Sequence, residues 1–299
     1  MHLLLTGGTG LIGRALCQRL LAQGHRLTVL SRDPRRVARF CGPQVQAWTS
    51  LQSWRDADGI EAVINLAGEP IADAAWSARR QQLLRDSRVA LTQQLVARMR
   101  ALQQPPQVLL SGSAIGFYGE GGEGVLDESA PQGADFSAQL CADWEAAALP
   151  AGTLGVRVAL LRTSVVLSAE GGMLARVLPP FRLGLGARLG DGRQWFSWIH
   201  IEDQLRAILF LLENSSCSGA YNLSAPQALR NTEFTQALAR QLHRPARLVT
   251  PAWALRTLLG ERASLLLGSQ RVLARRLPDA GFAFDYPQLA PALAQLLAR

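Results

Sequence analysis

The chain has 299 residues, 48% of them hydrophobic and 18% charged, so it carries material for a large core and is too apolar for a disordered chain. Its 31 basic residues against 23 acidic ones give a formal charge of +8, and every basic residue is Arg. Without a single Lys, the chain has no Schiff-base lysine, no P-loop lysine and no lysine-assisted tyrosine. The arginines are spread among acids and no nucleic-acid motif accompanies them. An anionic small ligand is the simpler use of the charge, and no nucleic-acid partner is expected. Cys17, Cys41, Cys141 and Cys217 form no CxxC pair. Met1 leads straight into an apolar strand, and every apolar run is broken well short of a bilayer span. The expectation is a cytoplasmic protein with reduced, buried thiols and no membrane partner, acting as a monomer or homodimer.

Residues 2–6 form a short apolar run ending at glycines, which reads as a buried strand. Residues 11–23 have helical spacing, with Leu16, Leu20 and Leu21 on one face and Gly24 as the stop. A strand over 26–31 completes a β-α-β unit. Further strands are expected at 62–66, 108–111, 156–162 and 220–223. Helices are expected at 76–102, 136–148, 202–212 and 232–242. Strands alternating with helices point to a parallel sheet covered on both faces. Residues 171–192 are rich in Gly and Arg and contain Pro179-Pro180, so they read as irregular. The tail reads as helical around Leu255 to Leu259, then over 265–277 and 289–297. The fold class is therefore α/β, a Rossmann-like doubly wound parallel sheet. A domain over 1–247, with substrate-side segments after about 163, carries a smaller, mostly helical C-terminal lobe over 248–299.

Gly7, Gly10 and Gly13, in Thr6-Gly7-Gly8-Thr9-Gly10-Leu11-Ile12-Gly13, form a GxxGxxG between the first strand and the first helix. Such a turn brings bare backbone to a pyrophosphate, which then meets the N–H groups and positive dipole end of the helix. A glycine triplet alone is weak evidence, and its place inside a β-α-β unit is what strengthens it. At the end of the second strand, Ser31-Arg32 replaces the acidic residue that would accept from a ribose 2′-OH. The fork of Arg32 and the hydroxyl of Ser31 suit a 2′-phosphate, with Arg35 and Arg36 nearby. Asp33 competes, but it precedes Pro34 and lies in the turn. The expected cofactor is NADP(H). Asn65-Leu66-Ala67-Gly68 ends the strand expected beside it, where small residues leave room for adenosine.

Together these stretches resemble the short-chain dehydrogenase/reductase superfamily in its epimerase/dehydratase-like form. The nearest likeness is to epimerase-family proteins with a short extra C-terminal domain. Further stretches carry the resemblance: Asn65 to Ile71, Ser111-Gly112-Ser113, Leu161 to Leu167, Pro179 to Gly186, Trp198 to Asp203, and the tail from about 248. The resemblance implies that Gly7, Thr9, Gly10, Leu11, Ile12 and Gly13 hold the pyrophosphate. It places Ser31 and Arg32 at the 2′-phosphate, and Leu66, Ala67 and Gly68 beside the adenosine. Arg88 becomes a cofactor-contacting arginine, and Val166 lies near the nicotinamide.

The catalytic pattern departs from the superfamily. Its Tyr and Lys, separated by three intervening residues, would fall on Asp135 or Phe136 and on Gln139 or Leu140. Phe136, Leu140 and Trp144 at helical spacing look instead like a core face. Ser113 stands where the superfamily keeps a hydroxyl on the substrate carbonyl, and is the candidate catalytic residue. Tyr118 and His200 are weaker proton-donor candidates, and Arg182, Arg188 and Arg193 are candidates for an acidic substrate. No metal ligands are expected. Two functions follow: an NADP(H)-dependent oxidoreductase or epimerase on an unknown small substrate, or a non-catalytic NADP(H)-binding regulator linked to cell division, as some relatives are.

Overall fold

The computed structural model describes residues 1–298. The first strands are β1 (His2–Thr6), β2 (Arg26–Leu30), β3 (Gln46–Trp48), β4 (Ala62–Asn65) and β5 (Val108–Ala114). With Arg157–Thr163 and Gly219–Leu223 they make one seven-stranded sheet. Its order is β3, β2, β1, β4, β5, Arg157–Thr163, Gly219–Leu223, and every neighbouring pair is parallel. The chain winds one way from β1 to β3, then crosses back to place β4 on the other side of β1. The carboxyl ends of β1 and β4 therefore flank a topological switch point, where doubly wound sheets bind ligands.

The strands are apolar on both faces, and their period of two divides two cores. Leu3, Leu5, Val29 and Ile64 face α1 (Leu11–Ala22), α2 (Pro34–Cys41) and the helix Ile201–Glu213. Leu4, Val63 and Leu109 face Leu95, Val96 and Met99 of the helix Leu91–Arg100. A third core unites Leu174, Leu178 and Phe181 with Trp198, Leu238 and Leu293. That core joins the segment after β5 to the C-terminal helix Leu289–Leu297.

The tail is stitched into earlier parts of the chain. Leu248–Thr250 pairs with Ala187–Leu189, and Arg271–Val272 pairs with Val125–Leu126. The expected helix over 265–277 does not form as one piece. Ser264–Leu267 is helical, Arg271–Val272 is a strand, and Arg276–Asp279 is helical again. Residues 171–192 are less irregular than expected, because Gly172–Arg182 is a helix despite Pro179 and Pro180 in its last turns. Leu174, Leu178 and Phe181 recur on its buried side, and that burial outweighs two lost backbone hydrogen bonds. The expected long helix after β4 is Ala78–Arg85 and Leu91–Arg100 joined through a π turn at Asp86–Ala90. All four cysteines are buried and free, and among the described residues no helix is long and apolar enough to cross a membrane.

Candidate functional site: the switch-point edge

The glycine loop follows from steric need. Gly7 has φ +71°, and a Cβ there would lie 2.5 Å from the Leu66 carbonyl oxygen. At Gly13 a Cβ would lie 2.2 Å from the Gly7 oxygen, so only glycine lets α1 start this close to β1. Gly10 is the N-cap of α1 and offers no side-chain acceptor, and the first turn contains no acid. The N–H groups of Leu11, Ile12 and Gly13 thus lack an intrahelical partner and sit at the positive end of a 12-residue helix. Half-buried Thr9 stands in the loop just before that cap. Cys41 braces the loop from below, donating its thiol to the Gly8 carbonyl at 3.3 Å.

Beneath the loop lies a buried polar cluster. Thr6 Oγ1 donates to Asn65 Oδ1 at 2.6 Å and accepts from the Ala67 N–H at 3.1 Å. Asn65 Nδ2 donates to Thr92 Oγ1 at 2.8 Å and to Ser111 Oγ at 3.2 Å. These bonds fix the turn Leu66-Ala67-Gly68 against the glycine loop, on the side where the resemblance puts adenosine.

At the end of β2 the two candidate residues for the ribose separate. Asp33 Oδ1 accepts from the N–H groups of Arg35 and Arg36, at 2.9 and 3.4 Å, and so caps α2. One oxygen of its carboxylate is thereby held at the start of that helix. The Arg32 side chain is 90% exposed and reaches across the edge to Glu69 Oε1 at 3.0 Å. Ser31 is half-buried, its hydroxyl bonded to the backbone of Asp33.

Arg88 lies in the π turn. Its Nη2 donates to the Glu69 carbonyl at 2.9 Å, and its guanidinium packs so closely on Gly68 that a Cβ there would be 2.8 Å from Cζ. Ser87 Oγ, from the same turn, accepts the Glu69 N–H at 3.0 Å. Arg88 therefore reaches the edge from behind the Gly68-Glu69 backbone. Burial lowers its pKa from the ordinary arginine value.

At the far end, Val166 lies in Val165–Leu167, which pairs with Trp198–His200. The Gly171-Gly172 turn after it covers Leu11 so closely that a Cβ at Gly171 would sit 3.1 Å from Leu11 Cδ1. Arg14 Nη2 donates to the Glu170 carbonyl at 3.1 Å and ties this turn to α1. The glycine loop, Leu66 to Gly68, Arg32, Arg88 and Val166 are thereby linked along one edge by successive contacts. Neither Glu69 nor Glu170 was among the sequence candidates. Their roles come from ion pairs and hydrogen bonds far apart in sequence, which no local pattern announces.

Ser113 is placed differently from the substrate-facing hydroxyl implied by resemblance. It is 5% exposed, and its Oγ donates to Glu145 Oε1 at 2.6 Å. Glu145 also takes a bidentate pair from Arg162, with Nε to Oε1 at 2.8 Å and Nη2 to Oε2 at 2.9 Å. Arg162 Nη1 donates to the Tyr118 oxygen at 3.1 Å, and the Tyr118 hydroxyl donates to Asn222 Oδ1 at 2.7 Å. Tyr118 thus has the cationic neighbour that its sequence surroundings lacked. Burial nevertheless dominates and raises its pKa above the ordinary phenol value. The network is a closed chain of satisfied groups, with no proton offered outward.

The helix Phe136–Ala148 carries no replacement dyad. Asp135 caps it by accepting the Ala138 N–H at 2.8 Å, and half-buried Phe136 packs on Trp76. Gln139 donates to Asp143 at 2.7 Å, while Leu140 and Trp144 are buried as the core spacing implied. His200 is buried. Its Nδ1 accepts the Glu202 N–H at 3.0 Å, its Nε2 pairs with Gln295 Oε1 at 3.0 Å, and its ring stacks on Tyr286. It caps a helix and faces no open space. Arg182 and Arg193 are exposed, while half-buried Arg188 lies in the strand pair Ala187–Leu189 and Leu248–Thr250.

Family models place residues 3–224 in the NAD dependent epimerase/dehydratase family, and match residues 250–296 to a domain of unknown function, DUF1731. The chain belongs to the NAD dependent epimerase/dehydratase family. Within it, an epimerase family protein of Mycobacterium leprae is 40% identical, over 99% of this chain and 95% of the relative. The epimerase family protein SDR39U1 of Bos taurus is 38% identical over the full length of both. The crystal structure of human SDR39U1 (isoform 2) with NADPH superposes with a TM-score of 0.89 at 34% identity, covering 100% of this chain and 99% of that one. UDP-glucose 4-epimerase from Thermotoga maritima shares the fold, at a TM-score of 0.78 and 16% identity, over 100% of this chain and 98% of that one.

Proposed function

We propose that this family member binds NADP(H) along the switch-point edge and uses it as an oxidoreductase or epimerase on a small substrate. The observation that carries the cofactor choice is the fate of Asp33. The acid that would accept from a ribose 2′-OH caps α2 through one carboxylate oxygen, and the exposed guanidinium of Arg32 beside it would take the 2′-phosphate. The glycine cradle fits a pyrophosphate, because side chains at Gly7 or Gly13 would fill it, and the uncapped start of α1 offers N–H groups to an anion. The human relative crystallised with NADPH supports the same choice.

When bound, NADP(H) supplies or accepts a hydride at its nicotinamide ring. The protein's part is to orient that ring, through Val166 and the Gly171-Gly172 turn, and to hold the phosphates at Leu11 to Gly13. Ser113 and Tyr118 keep their protons inside the network of Glu145, Arg162 and Asn222. Neither is therefore placed to give the proton of a reduction. The test is to follow reduced-nicotinamide absorbance while NADPH-loaded protein meets a panel of carbonyl compounds, and to separate the products chromatographically when NADP+-loaded protein meets sugar nucleotides, since an epimerisation returns its hydride and leaves no net absorbance change. Cofactor-dependent turnover supports the enzyme reading.

The sealed network also favours a second reading, that of an NADP(H)-binding regulator without turnover. Tight NADPH binding, silence across the whole panel and a partner captured only in the loaded state would favour it.

A further inference from the structure

Glu69 sits where three arginines converge. Arg32 Nη2 is 3.0 Å from its Oε1, Arg80 Nη1 is 3.7 Å from its Oε2, and Arg88 Nη2 is 2.9 Å from its carbonyl oxygen. Its N–H is held by Ser87. The residue is thus pinned through its backbone and shielded by Arg80, whose side chain is mostly buried. Arg32 is the opposite, a long, largely exposed side chain attached at its tip. In this pair Glu69 is held at its backbone and by Arg80, and Arg32 at its tip.

We propose that Glu69 tunes cofactor discrimination, because its carboxylate is the counter-ion that Arg32 must leave to grip a 2′-phosphate. The proposal rests on the NADP(H) reading. A 2′-phosphate carries between one and two negative charges near neutral pH. Arg32 cannot give its full fork to Glu69 and to that phosphate together. The carboxylate also repels the incoming phosphate across a solvent-screened gap. Both effects weaken NADPH and leave NADH, which has a neutral hydroxyl there, nearly untouched. Glu69 therefore narrows the preference that Arg32 creates and eases release of the phosphorylated cofactor.

The test is calorimetric titration of the full chain and of Glu69→Gln with NADPH and NADH. Gln keeps the size and an acceptor oxygen for Arg80 but removes the charge, and a melting curve checks that the fold survives. NADPH is expected to bind about three- to fivefold tighter to the variant, the strength of an exposed ion pair, with NADH shifted less than about twofold. In the Arg32→Ala background the same substitution should give a smaller gain, since the pair is already gone. High salt should shrink the gain. Unchanged or weaker NADPH binding by Glu69→Gln, or an equal gain for NADH, overturns the proposal. If instead the wild-type chain shows no NADPH preference and Arg32→Ala changes nothing, the cofactor reading itself has failed. A preference that depends on Arg32 but ignores Glu69 removes only this inference.

Discussion

The Ser113 hydroxyl donates to Glu145 Oε1 at 2.6 Å, on the same oxygen that receives Arg162 Nε at 2.8 Å. A position that relatives by resemblance use for substrate here anchors a buried ion pair. Each side chain of the pair is only 7% exposed, so neither charge can fall back on water.

Removing one partner should be costly. Glu145→Ala leaves Arg162 buried without its counter-charge, and the expected loss is about 3–5 kcal/mol. It would appear as a lower denaturant midpoint at an unchanged slope. Replacing the set, with Glu145→Leu, Arg162→Met and Ser113→Ala, so that no hydroxyl loses its acceptor, should recover much of that loss. A drop below about 1 kcal/mol for Glu145→Ala, the range of a surface pair, would contradict the buried assignment.

The glycine cradle makes a sharper prediction. In Gly13→Ala the new methyl would meet the Gly7 carbonyl oxygen 2.2 Å away, and Gly8 Cα at 2.7 Å. The loop must move outward and carry its N–H groups off the phosphate position. Nucleotide binding by calorimetry should be lost while circular dichroism still reports a folded α/β chain. Gly24→Ala is the contrast, since a Cβ there meets nothing within 4 Å, although its φ of +80° costs some stability. Equal nucleotide affinity in Gly13→Ala and wild type would remove the loop from the site.

Stability should fall on mild acidification. Burial lowers the pKa of His200 below 6.5, against the raising effects of Gln295, Asp203, Glu202 and Asp285, and burial lowers His2 in the same way. The unfolded chain then binds more protons below about pH 6.5 than the folded one. This contribution is complete above 6.5 and is lost as pH falls toward the lower folded values. Each histidine can contribute a slope of up to about 1.4 kcal/mol per pH unit within that window. Chemical denaturation from pH 7.5 downward, with wild type and His200→Asn, measures it. The variant should show a shallower loss, and an identical slope would mean that His200 titrates normally.

The sequence made the switch-point edge legible because its constraints are local. Gly13 is demanded by a contact six residues back in the chain, Gly7 by its own positive φ as well as by the distant Leu66 carbonyl, and Asp33 before Pro34 already reads as a cap. The buried face of Leu140 and Trp144 followed from helical spacing alone. What escaped was either short or non-local. The helix Pro34–Cys41 buries only Val37 and Cys41, and β3 is three residues long, so neither builds up a period. Gly268 breaks the apolar run after Leu265, and the register of Arg271–Val272 is set by Val125–Leu126, about 146 positions away. Arg162, Glu145 and Tyr118 belong to three different elements, and it is the fold, with Ser113 in parallel register beside Arg162, that brings them together. The same is true of Glu69, whose partners Arg32 and Arg80 lie on opposite sides of it in sequence.

Arg32, with Asp33 turned to the α2 cap, is the residue proposed to select NADP(H). The direct measurement is calorimetric titration of the wild-type chain and Arg32→Ala with NADPH and with NADH. NADPH should bind wild type at least about tenfold tighter than NADH, a gap of about 1.4 kcal/mol, and Arg32→Ala should close that gap while leaving NADH affinity alone. NADH binding as tightly as NADPH, or a gap that survives Arg32→Ala, would contradict the account.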